Sequence, residues 1–523
     1  MRKITRRAAI AGAVAGSMAV VAAGASWWSR RKPPLGMEIP EEFRRRGAAL
    51  LAEYPSVDVH SHAGRSFLVG AKPDSLVIRL MRDGFEADRI ADMRKAQVTA
   101  SLISMVADFP LLSLEGGGLH AAREFEEGEA HRDYDRQIAR LRSLIDADLI
   151  RPGLSPGDIR AAHRDGERVA VFCSEGGDFI EDRLERLAAA YAAGLRSVTL
   201  VHYHVNRLGD VQTVAPVHHG LTAFGGDVVQ EMNRLGMIID VAHASYATCA
   251  GVVARSSVPV MLSHSSLASG PEPSPRLISR EHARLVTSAG GIIGAWPAGI
   301  GSTSLADFVG QVQALVDAVG IEHVAIGTDM DANYKPVLTA YGDFPVLAAA
   351  LLARGMSESD TAKVLGGNFL RLFDEVVLRE AGLNPAVSQV SLSTNRARHT
   401  LRGLHWQAAP HGETKTVRCM QGAIWDVAVD LRPASPTYRQ WVAEELHARD
   451  GRALVIPPGV AHGFITLSDE AHVLYVIDAP YVAEAARGAR WDDPALGIAW
   501  PAQPAVIGQR DRGWPALGGQ ARG

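Results

Sequence analysis

Six short apolar segments of this chain each end on a histidine or a carboxylate that could bind a metal ion. The residues at or near these ends are His60 and His62, Glu175, His202, His243, His264 and Asp329. Imidazole and carboxylate are the ligands that zinc prefers when thiolates are absent. Metal coordination lowers the pKa of water from about 15.7 to about 7, which is worth roughly 12 kcal/mol. General base catalysis alone supplies only about 10²–10⁴ in rate, so this set of residues indicates metal-assisted hydrolysis of unactivated amide bonds.

The segments that carry these residues have the length and composition of buried β-strands. Two further apolar runs, over 100–106 and 291–296, bring the number of predicted strands to eight, with helical patterns such as 183–193 and 306–319 between them. Strands that alternate with helices predict a parallel sheet. Eight such units in about 250 residues or more form a (β/α)₈ barrel, whose chemistry lies at the carboxyl ends of the strands. The candidate ligands fall at those ends.

Composition excludes several classes of protein. The 523 residues are 47% hydrophobic and carry a formal net charge of −4, which describes a soluble globular protein with ample core. That composition provides no basic surface for nucleic acid. The three cysteines, Cys173, Cys249 and Cys419, are odd in number and far apart, so they predict neither a disulfide framework nor a cysteine-rich zinc site.

The N-terminus has the features of an export signal. A charged start with Arg6 and Arg7 is followed by a stretch to Ala25 that is rich in alanine, glycine and valine, which predicts a twin-arginine signal peptide over 1–25 and a linker over 26–44. The alternative is an uncleaved membrane anchor, because Trp27 and the basic residues after it suit a bilayer interface. Both interpretations place the folded part in the periplasm, with membrane contact only through this segment.

Several motifs in the first two-thirds of the chain, taken in order, resemble the membrane (renal) dipeptidase family of zinc peptidases, a branch of the amidohydrolase barrels. The motifs are Glu175-Gly-Gly-Asp, Gly220-Leu-Thr-Ala-Phe-Gly, the segment 232–243 that ends on His243, Ser263-His264-Ser-Ser, Gly327-Thr-Asp329-Met-Asp331 and Gly366-Gly-Asn-Phe-Leu-Arg371. The similarity covers about residues 45 to 380.

The resemblance implies roles for individual residues. It implies a two-zinc centre bridged by Glu175, with His60 on one metal and His243 and His264 on the other. Further implied roles are that His202 steadies the developing oxyanion, Arg276 binds the substrate carboxylate and Asp329 shuttles a proton to the departing amine.

One position departs from the family pattern. The family has His-x-Asp on the first strand, whereas this chain has His60-Ser61-His62. Related amidohydrolases use His-x-His there, so His62 is predicted as a metal ligand. A neutral imidazole in place of a carboxylate makes the centre about one charge unit more positive, which affects metal affinity and the pKa of water.

After Pro385 the pattern changes to short alternating strands. Examples are 388–393, 416–420, 423–430, 453–457 and 472–477, separated by Gly, Pro and Asp turns. This pattern predicts an all-β sandwich or jelly roll of the cupin type. A metal-binding cupin would carry paired histidines and a glutamate in its first motif. The segment from Arg402 to Gln407 does not, so no metal is predicted in this domain.

The second domain resembles dTDP-4-dehydrorhamnose 3,5-epimerases over about residues 386 to 515. The matching segments are Arg402-Gly-Leu-His405-Trp-Gln, Lys415, 426–438, 456–464 and 475–481. The resemblance implies that His405 is the base, oriented by Asp511, that Lys415 stabilises the enolate and that Tyr475 is the acid on the opposite face. It also implies that Arg402 and His462 bind substrate. No counterpart of the family's N-terminal segment is visible before residue 386.

The sequence therefore predicts a metal-dependent dipeptidase barrel at 45–380, a linker at 381–387 and an epimerase-like jelly roll at 388–523. Two zinc ions are expected in the barrel, with a dipeptide as its substrate, and the chain is expected to form a homodimer. Alternatives for the barrel are hydrolysis of another small amide or lactone, or an inert barrel carried by a sugar-binding protein. The second domain is an active epimerase on a nucleotide sugar, a sugar-binding or dimerising module, or an incidental fusion.

Overall fold

The chain forms two compact units, which divide after Glu380. The structure, a computed structural model, describes residues 32–71, 85–113, 118–380, 387–449 and 452–517. The predicted signal peptide at 1–25 and most of the predicted linker at 381–387 lie outside these residues. Among the helices that are described, none combines the length and the apolar character needed to span a bilayer.

The first unit is built on a closed barrel of eight parallel strands, which confirms the predicted fold class. In chain order its strands are β1 (Val57–Ser61), β2 (Ala100–Val106), β3 (Leu112–Ser113), β4 (His120–Ala121), β5 (Arg151–Pro152), β6 (Val169–Glu175), β7 (Leu195–Thr199), β8 (Ile238–Asp240), β9 (Met261–Ser265), β10 (Ile292–Ala295) and β11 (Val324–Ile326). The barrel runs β1-β2-β6-β7-β8-β9-β10-β11, and β11 pairs with β1 to close it. All eight predicted strands are present. β3 and β4 pair only with each other, and β5 extends the sheet beside β6.

Helices surround the barrel. They are α1 (Glu41–Glu53), α2 (Glu86–Ala96), α3 (Glu129–Asp146), α4 (Pro156–Asp165), α5 (Glu185–Ala192), α6 (Ala223–Leu235), α7 (Tyr246–Arg255), α8 (Arg280–Thr287), α9 (Leu305–Val319), α10 (Phe344–Ala353), α11 (Glu358–Ala362) and α12 (Asn368–Glu380). Local sequence sets several of their starts. At α4 the Ser155 side chain accepts from the backbone N–H of Asp158, and the Asp158 side chain reciprocates. This capping box satisfies N–H groups that the first helical turn leaves without partners.

Two glycines allow the strands around His264 to approach closely. A Cβ on Gly294 of β10 would lie 1.8 Å from the carbonyl oxygen of Ser263, and one on Gly327 would lie 1.9 Å from the same atom. Any larger residue at either position would displace the β9 backbone. These glycines therefore help to fix where His264, the next residue after Ser263, enters the barrel.

The second unit is an all-β domain, as predicted. Its strands are β12 (Gln389–Asn395), β13 (Thr400–Gln407), β14 (Lys415–Gln421), β15 (Ala423–Asp430), β16 (Trp441–His447), β17 (Leu454–Ile456), β18 (Val460–Thr466), β19 (Ala471–Ile477), β20 (Ala486–Gly488) and β21 (Val506–Ile507), followed by the short helix α13 (Gln509–Arg512). One sheet has the order β12-β19-β14-β17, and the other β16-β15-β18-β13-β20 with β21 beside β13. Their core includes Val417, Val473 and Phe464, all fully buried.

Five of these strands, β13, β16, β18, β20 and β21, were not among the predicted examples. Two of them carry residues with predicted chemistry, namely Arg402 and His405 on β13 and His462 on β18. Histidine and glycine interrupt the apolar alternation that indicates a strand. The three cysteines of the chain are all buried.

Candidate active sites

The barrel brings the predicted metal-binding side chains to one place. Glu175 is the last residue of β6, and His264 lies within β9. His60 lies in β1 and His62 directly follows it, whereas His202 and His243 each lie three residues beyond the end of their strands. His243 reaches the centre with a left-handed backbone, φ 63°. The site is thus assembled from the carboxyl ends of five strands.

One carboxylate lies at the middle of this cluster. Three imidazoles approach Oε1 of Glu175, with Nε2 distances of 2.9 Å for His243, 3.4 Å for His60 and 3.5 Å for His264. Two approach Oε2, with Nε2 distances of 3.1 Å for His62 and 3.4 Å for His202. Each oxygen of Glu175 therefore faces a different set of histidines.

Three overlapping groups of side chains have ligand atoms within 4.8 Å of one another. They are His60, Glu175 and His264; His60, His62 and Asp329; and Glu175, His202 and His243. All are buried, and the donors are imidazole and carboxylate, which suits zinc. The structure places His202 in one of these groups, so it is as near to a ligand position as the residues predicted to bind metal.

Hydrogen bonds on the far side of the rings hold several of these imidazoles in place. His62 Nδ1 lies 3.0 Å from the carbonyl oxygen of Ser104, to which it donates. Ser263 Oγ lies 3.0 Å from His264 Nδ1 and 3.4 Å from His60 Nδ1. Such partners fix the tautomer of a metal-binding histidine and direct its other nitrogen toward the ion. The His62 ring is therefore held with its Nε2 atom toward Glu175.

Electrostatics divide the histidines into two classes. Burial, together with the charges of nearby cationic groups, holds the pKa values of His243 and His264 well below the ordinary histidine value, so both rings are neutral. Burial opposes protonation of His60 as well, but the charge of Glu175 raises the pKa of His60 to about 9. Metal ligands must be deprotonated, so loading a cation at His60 releases a proton.

Arg276 lies beside this cluster with unused donors. Its Nη2 atom is 3.2 Å from His243 Nε2 and 3.1 Å from His264 Nε2, and its guanidinium stands 5.0 Å from the centre of the Trp296 ring. Nε and Nη1 of Arg276 are buried and have no hydrogen-bond partner among the described residues. A buried guanidinium with free N–H groups is suited to a carboxylate.

Two further side chains with predicted roles meet the same cluster. Asp329 Oδ1 lies 3.4 Å from His62 Nε2, and burial raises the pKa of Asp329 above the ordinary value. His202 donates from Nδ1 to Asp108 Oδ1 at 2.6 Å. The sequence reasoning missed Asp108, although it follows the end of β2 by two residues and so obeys the rule that identified the others.

A cavity of about 530 Å³ lies in the barrel unit beyond β6 and β7. His204 lies in its wall, bonded through Nδ1 to Asp178 Oδ1 at 2.6 Å and through Nε2 to Glu124 Oε2 at 2.9 Å. Both ring nitrogens of His204 are therefore engaged by carboxylates. None of the candidate metal ligands lines the cavity.

The second unit assembles its own set of titratable residues. His405 Nε2 lies 2.7 Å from Asp511 Oδ1, and the His405 side chain is 38% exposed. Lys415 Nζ lies 2.7 Å from Glu413 Oε1 and 3.4 Å from the carbonyl oxygen of His405. The histidine, its aspartate and the lysine thus meet across β13, β14 and α13.

A second histidine–aspartate pair lies near Tyr475. His462 Nε2 is 2.5 Å from Asp426 Oδ1, and the His462 ring is 5.8 Å from the Tyr475 ring. Burial, and then the charge of Asp426, raises the pKa of the Tyr475 hydroxyl far above its ordinary value. Arg402 donates from Nε to Asn395 Oδ1 at 3.3 Å. The sequence reasoning gave Asp426 no role, because its partner lies 36 residues away.

Family comparisons agree with this division of the chain. The family model "Membrane dipeptidase (Peptidase family M19)" matches residues 44–385, and the model "dTDP-4-dehydrorhamnose 3,5-epimerase" matches residues 358–518. The second match begins before residue 386, so the prediction that nothing precedes that residue in the epimerase similarity is wrong. Residues 358–385 match both families. In the structure α12 buries Phe369 and Phe373 in the core of the barrel unit, which is why the helical pattern there indicated only the barrel.

Individual relatives cover each unit. Dipeptidase verJ from Clonostachys rogersoniana is 34% identical over 272 residues, which are 49% of this chain and 69% of that protein. A dTDP-4-dehydrorhamnose 3,5-epimerase from Sinorhizobium fredii is 43% identical over 192 residues, which are 36% of this chain and 93% of that protein.

Solved structures show the same barrel. The probable dipeptidase PvdM from Pseudomonas aeruginosa is 20% identical with a TM-score of 0.54, and the match covers 65% of this chain and 100% of that one. This likeness shows the fold alone. The family matches go further: the chain belongs to the membrane dipeptidase family, Peptidase family M19, through its barrel, and to the dTDP-4-dehydrorhamnose 3,5-epimerase family through its β-rich unit.

Proposed function

We propose that the barrel is a zinc-dependent dipeptidase that cleaves short peptides with a free C-terminal carboxylate. The observation that carries this proposal is the buried Glu175 carboxylate, whose two oxygens face two different groups of histidines. The free donors of Arg276 beside the same histidines support a substrate with a carboxylate. A metal centre next to an unpaired guanidinium matches a peptide whose scissile bond is close to its terminal carboxylate.

The residues present fit two ions of the zinc class. His60, His62, Glu175, His243 and His264 would hold them. When bound, such ions activate water and polarise the carbonyl of the substrate.

The protein's own residues position the substrate and move the proton. Arg276 donates to the terminal carboxylate from the N–H groups that have no partner among the described residues. His202, held by Asp108 through Nδ1, donates from Nε2 to the carbonyl oxygen as negative charge develops there. Asp329 lies beside His62 and accepts the proton of the attacking water. The same carboxyl then returns this proton to the departing amine.

A panel of dipeptides tests the proposal. The intact chain loaded with zinc is expected to release free amino acids from dipeptides, and a chelator is expected to abolish this release because the imidazole cluster alone cannot ionise water. Added zinc should restore activity. Hydrolysis that persists at the same rate with less than about 1% of the metal left would contradict metal dependence. Activity on lactones or other amides, with none on dipeptides, would favour the alternative substrate classes.

We also propose that the chain is exported to the periplasm. The basic start with Arg6 and Arg7 and the small, apolar residues up to Ala25 support a twin-arginine signal. That route carries folded proteins, so the barrel could be loaded with metal before it crosses the membrane. Replacement of Arg6 and Arg7 by lysines is expected to retain the protein in the cytoplasm. Unchanged export of that variant would contradict the proposal.

A second candidate function, epimerisation of a nucleotide sugar, is favoured by the geometry of the β-rich unit. His405 with Asp511 is a base with its orienting carboxylate, and Lys415 supplies a cation for an enolate. The partly buried Tyr475 beside His462 carries a protonated hydroxyl, as an acid must. Removal of a proton next to a sugar ketone needs this combination of a base, a cation and an acid.

Proton exchange tests the second function directly. The intact chain in D₂O with dTDP-4-keto-6-deoxyglucose is expected to place deuterium at the sugar C3 and C5, as NMR would show. His405→Asn should slow this exchange by about 10²-fold or more, the contribution of a general base. His411→Asn, at an exposed histidine of the same unit, is the matched control. Absence of exchange in the wild-type chain would leave a sugar-binding or dimerising module.

We propose that the β-rich unit forms a homodimer through its four-stranded sheet. In the edge strand β12 the apolar side chains face outward and the polar ones face inward, the reverse of the usual alternation. Val390 and Leu392 are 60% and 58% exposed, whereas Ser391 and Ser393 are half-buried. Leu392 lies opposite Leu474 in the sheet. An apolar sheet face of this kind is a site for protein association. Sedimentation of the intact chain at the mass of a monomer would contradict the proposal.

A further inference from the structure

Asp331 is a buried carboxylate, with a side chain that is 4% exposed, and all its contacts are within the barrel unit. It accepts a backbone hydrogen bond from Gly64 at 2.8 Å and bonds from Arg89, with Nη2 2.5 Å from Oδ1 and Nε 2.9 Å from Oδ2. Its carbonyl oxygen accepts from Arg65 Nε at 2.8 Å. The two-pronged pairing with Arg89 is the strong, directional form of an ion pair.

These contacts join three segments of the barrel. Gly64 and Arg65 belong to the loop after β1, two and three residues beyond His62, whereas Arg89 lies in α2. Asp331 itself lies in the loop after β11, two residues beyond Asp329. The same two loops are also joined directly, since the backbone N–H of His62 donates to the carbonyl oxygen of Met330 at 2.9 Å. Asp331 and Arg89 therefore clamp the loop that carries Asp329 against the loop that carries His62.

The backbone of the Asp329 loop needs such a clamp. Asp329 has φ 53° and Asp331 has φ 72°, so both adopt the left-handed region that side-chain-bearing residues rarely occupy. Residues in that region keep it only when surrounding contacts hold them there. The bonds to Asp331 supply these contacts, and they fix the position from which the Asp329 carboxyl reaches the cluster.

We infer that Asp331, with Arg89, is a positioning residue for the proton transfer made by Asp329, an inference that rests on the proposed dipeptidase function. In that step the attacking water gives its proton to Asp329 as the new C–O bond forms. The C–N bond then breaks, its electron pair goes to the nitrogen, and the proton on Asp329 forms the new N–H bond. A carboxyl displaced by a fraction of an ångström transfers this proton more slowly.

The leaving group distinguishes this role from a structural one. An amine cannot depart without a proton, whereas the alkoxide of an ester departs with much less assistance. Asp331→Asn is therefore expected to lower kcat on a dipeptide at least about tenfold, which corresponds to 1.36 kcal/mol. On the matched depsipeptide, in which an ester replaces the amide, kcat should fall less than about threefold. KM for both substrates and the metal content should stay within about twofold of wild type.

Two further variants complete the test. Asp374→Asn removes another two-pronged arginine–aspartate pair of the barrel unit, the one with Arg160. It should leave kcat unchanged on both substrates. Arg89→Lys keeps the positive charge but cannot make the two-pronged bond to Asp331. It should therefore lower kcat on the dipeptide more than kcat on the depsipeptide, with a smaller loss than Asp331→Asn. If Asp331→Asn does not fold, the kinetics of Arg89→Lys test the inference.

Several outcomes would overturn the inference. Equal losses on the dipeptide and the depsipeptide, or no loss on either, would show that Asp331 does not act through Asp329. Loss of metal in the folded variants would show that the contacts of Asp331 hold His62 as a metal ligand instead of positioning Asp329. A wild-type chain that, loaded with zinc, cleaves neither substrate would refute the proposed function and this inference with it.

Discussion

Glu175→Gln is expected to lower dipeptide hydrolysis by at least about a hundredfold and to reduce the metal content of the protein. The glutamine has the same shape, but its amide cannot place a negatively charged oxygen toward each group of histidines. Losing even a quarter of the roughly 12 kcal/mol that metal coordination contributes costs about 3 kcal/mol, or about a hundredfold in rate. Steady-state kinetics and elemental analysis of the same preparation measure both effects.

His62→Asp is the matched control for this experiment. The substitution restores the carboxylate that the family carries at this position, and it should keep metal binding, because His62 lies 3.1 Å from Glu175 and 3.4 Å from Asp329 at the edge of the cluster. Complete loss of metal from His62→Asp would show that the imidazole reaches a position that an aspartate cannot. Full activity of Glu175→Gln would show that hydrolysis does not need the carboxylate of Glu175.

Arg276→Ala is expected to lower kcat/KM for dipeptides at least about thirtyfold. Removing one partner of a charge-assisted pair typically costs about 2–5 kcal/mol when the other charge is left buried. The Arg276 side chain is buried, and its Nε and Nη1 atoms have no partner among the described residues. A substrate carboxylate is therefore the group that these donors can bind. The measurement is kcat/KM on dipeptides with free carboxylates.

Dipeptide amides provide the control for Arg276. They lack the terminal carboxylate, so Arg276→Ala should change their slow hydrolysis by less than about threefold. If the variant loses the same factor on dipeptides and on their amides, Arg276 serves the metal cluster through His243 and His264 rather than the substrate.

The barrel and the composition of its histidine and carboxylate cluster could be predicted from the same segments, because each segment shows both a strand and the side chain at its end. Each apolar run predicted a strand, and a ligand-type residue at or near its end marked the carboxyl end, as Glu175 at the end of β6 illustrates. Parallel strands bring their carboxyl ends to one face of a barrel. The convergence of His60, Glu175 and His264 therefore followed from local sequence.

Partners that depend on tertiary packing could not be predicted in this way. Asp108 meets His202 across 94 residues, and Asp426 meets His462 across 36 residues. No periodicity or spacing links such positions, because the folded backbone alone brings them together. The clamp between Asp331 and Arg89 is of the same kind, since its members are 242 positions apart in the sequence.

The boundary between the two families was hidden for a different reason. Residues 358–385 match both family models. In the structure most of them form α11 and α12, with Phe369, Leu372 and Phe373 buried in the barrel unit. The helical period of these apolar residues is a strong signal for the barrel. A single sequence offers no comparable signal for the second family in the same segment.

The central claim is that the barrel holds a two-metal centre around Glu175, and the metal content of the intact chain tests it most directly. After incubation with zinc and removal of free metal, elemental analysis is expected to find about two equivalents of a zinc-class ion per chain. The Glu175→Gln variant, treated alike, should hold clearly less. Less than half an equivalent in the folded wild-type chain would contradict the account.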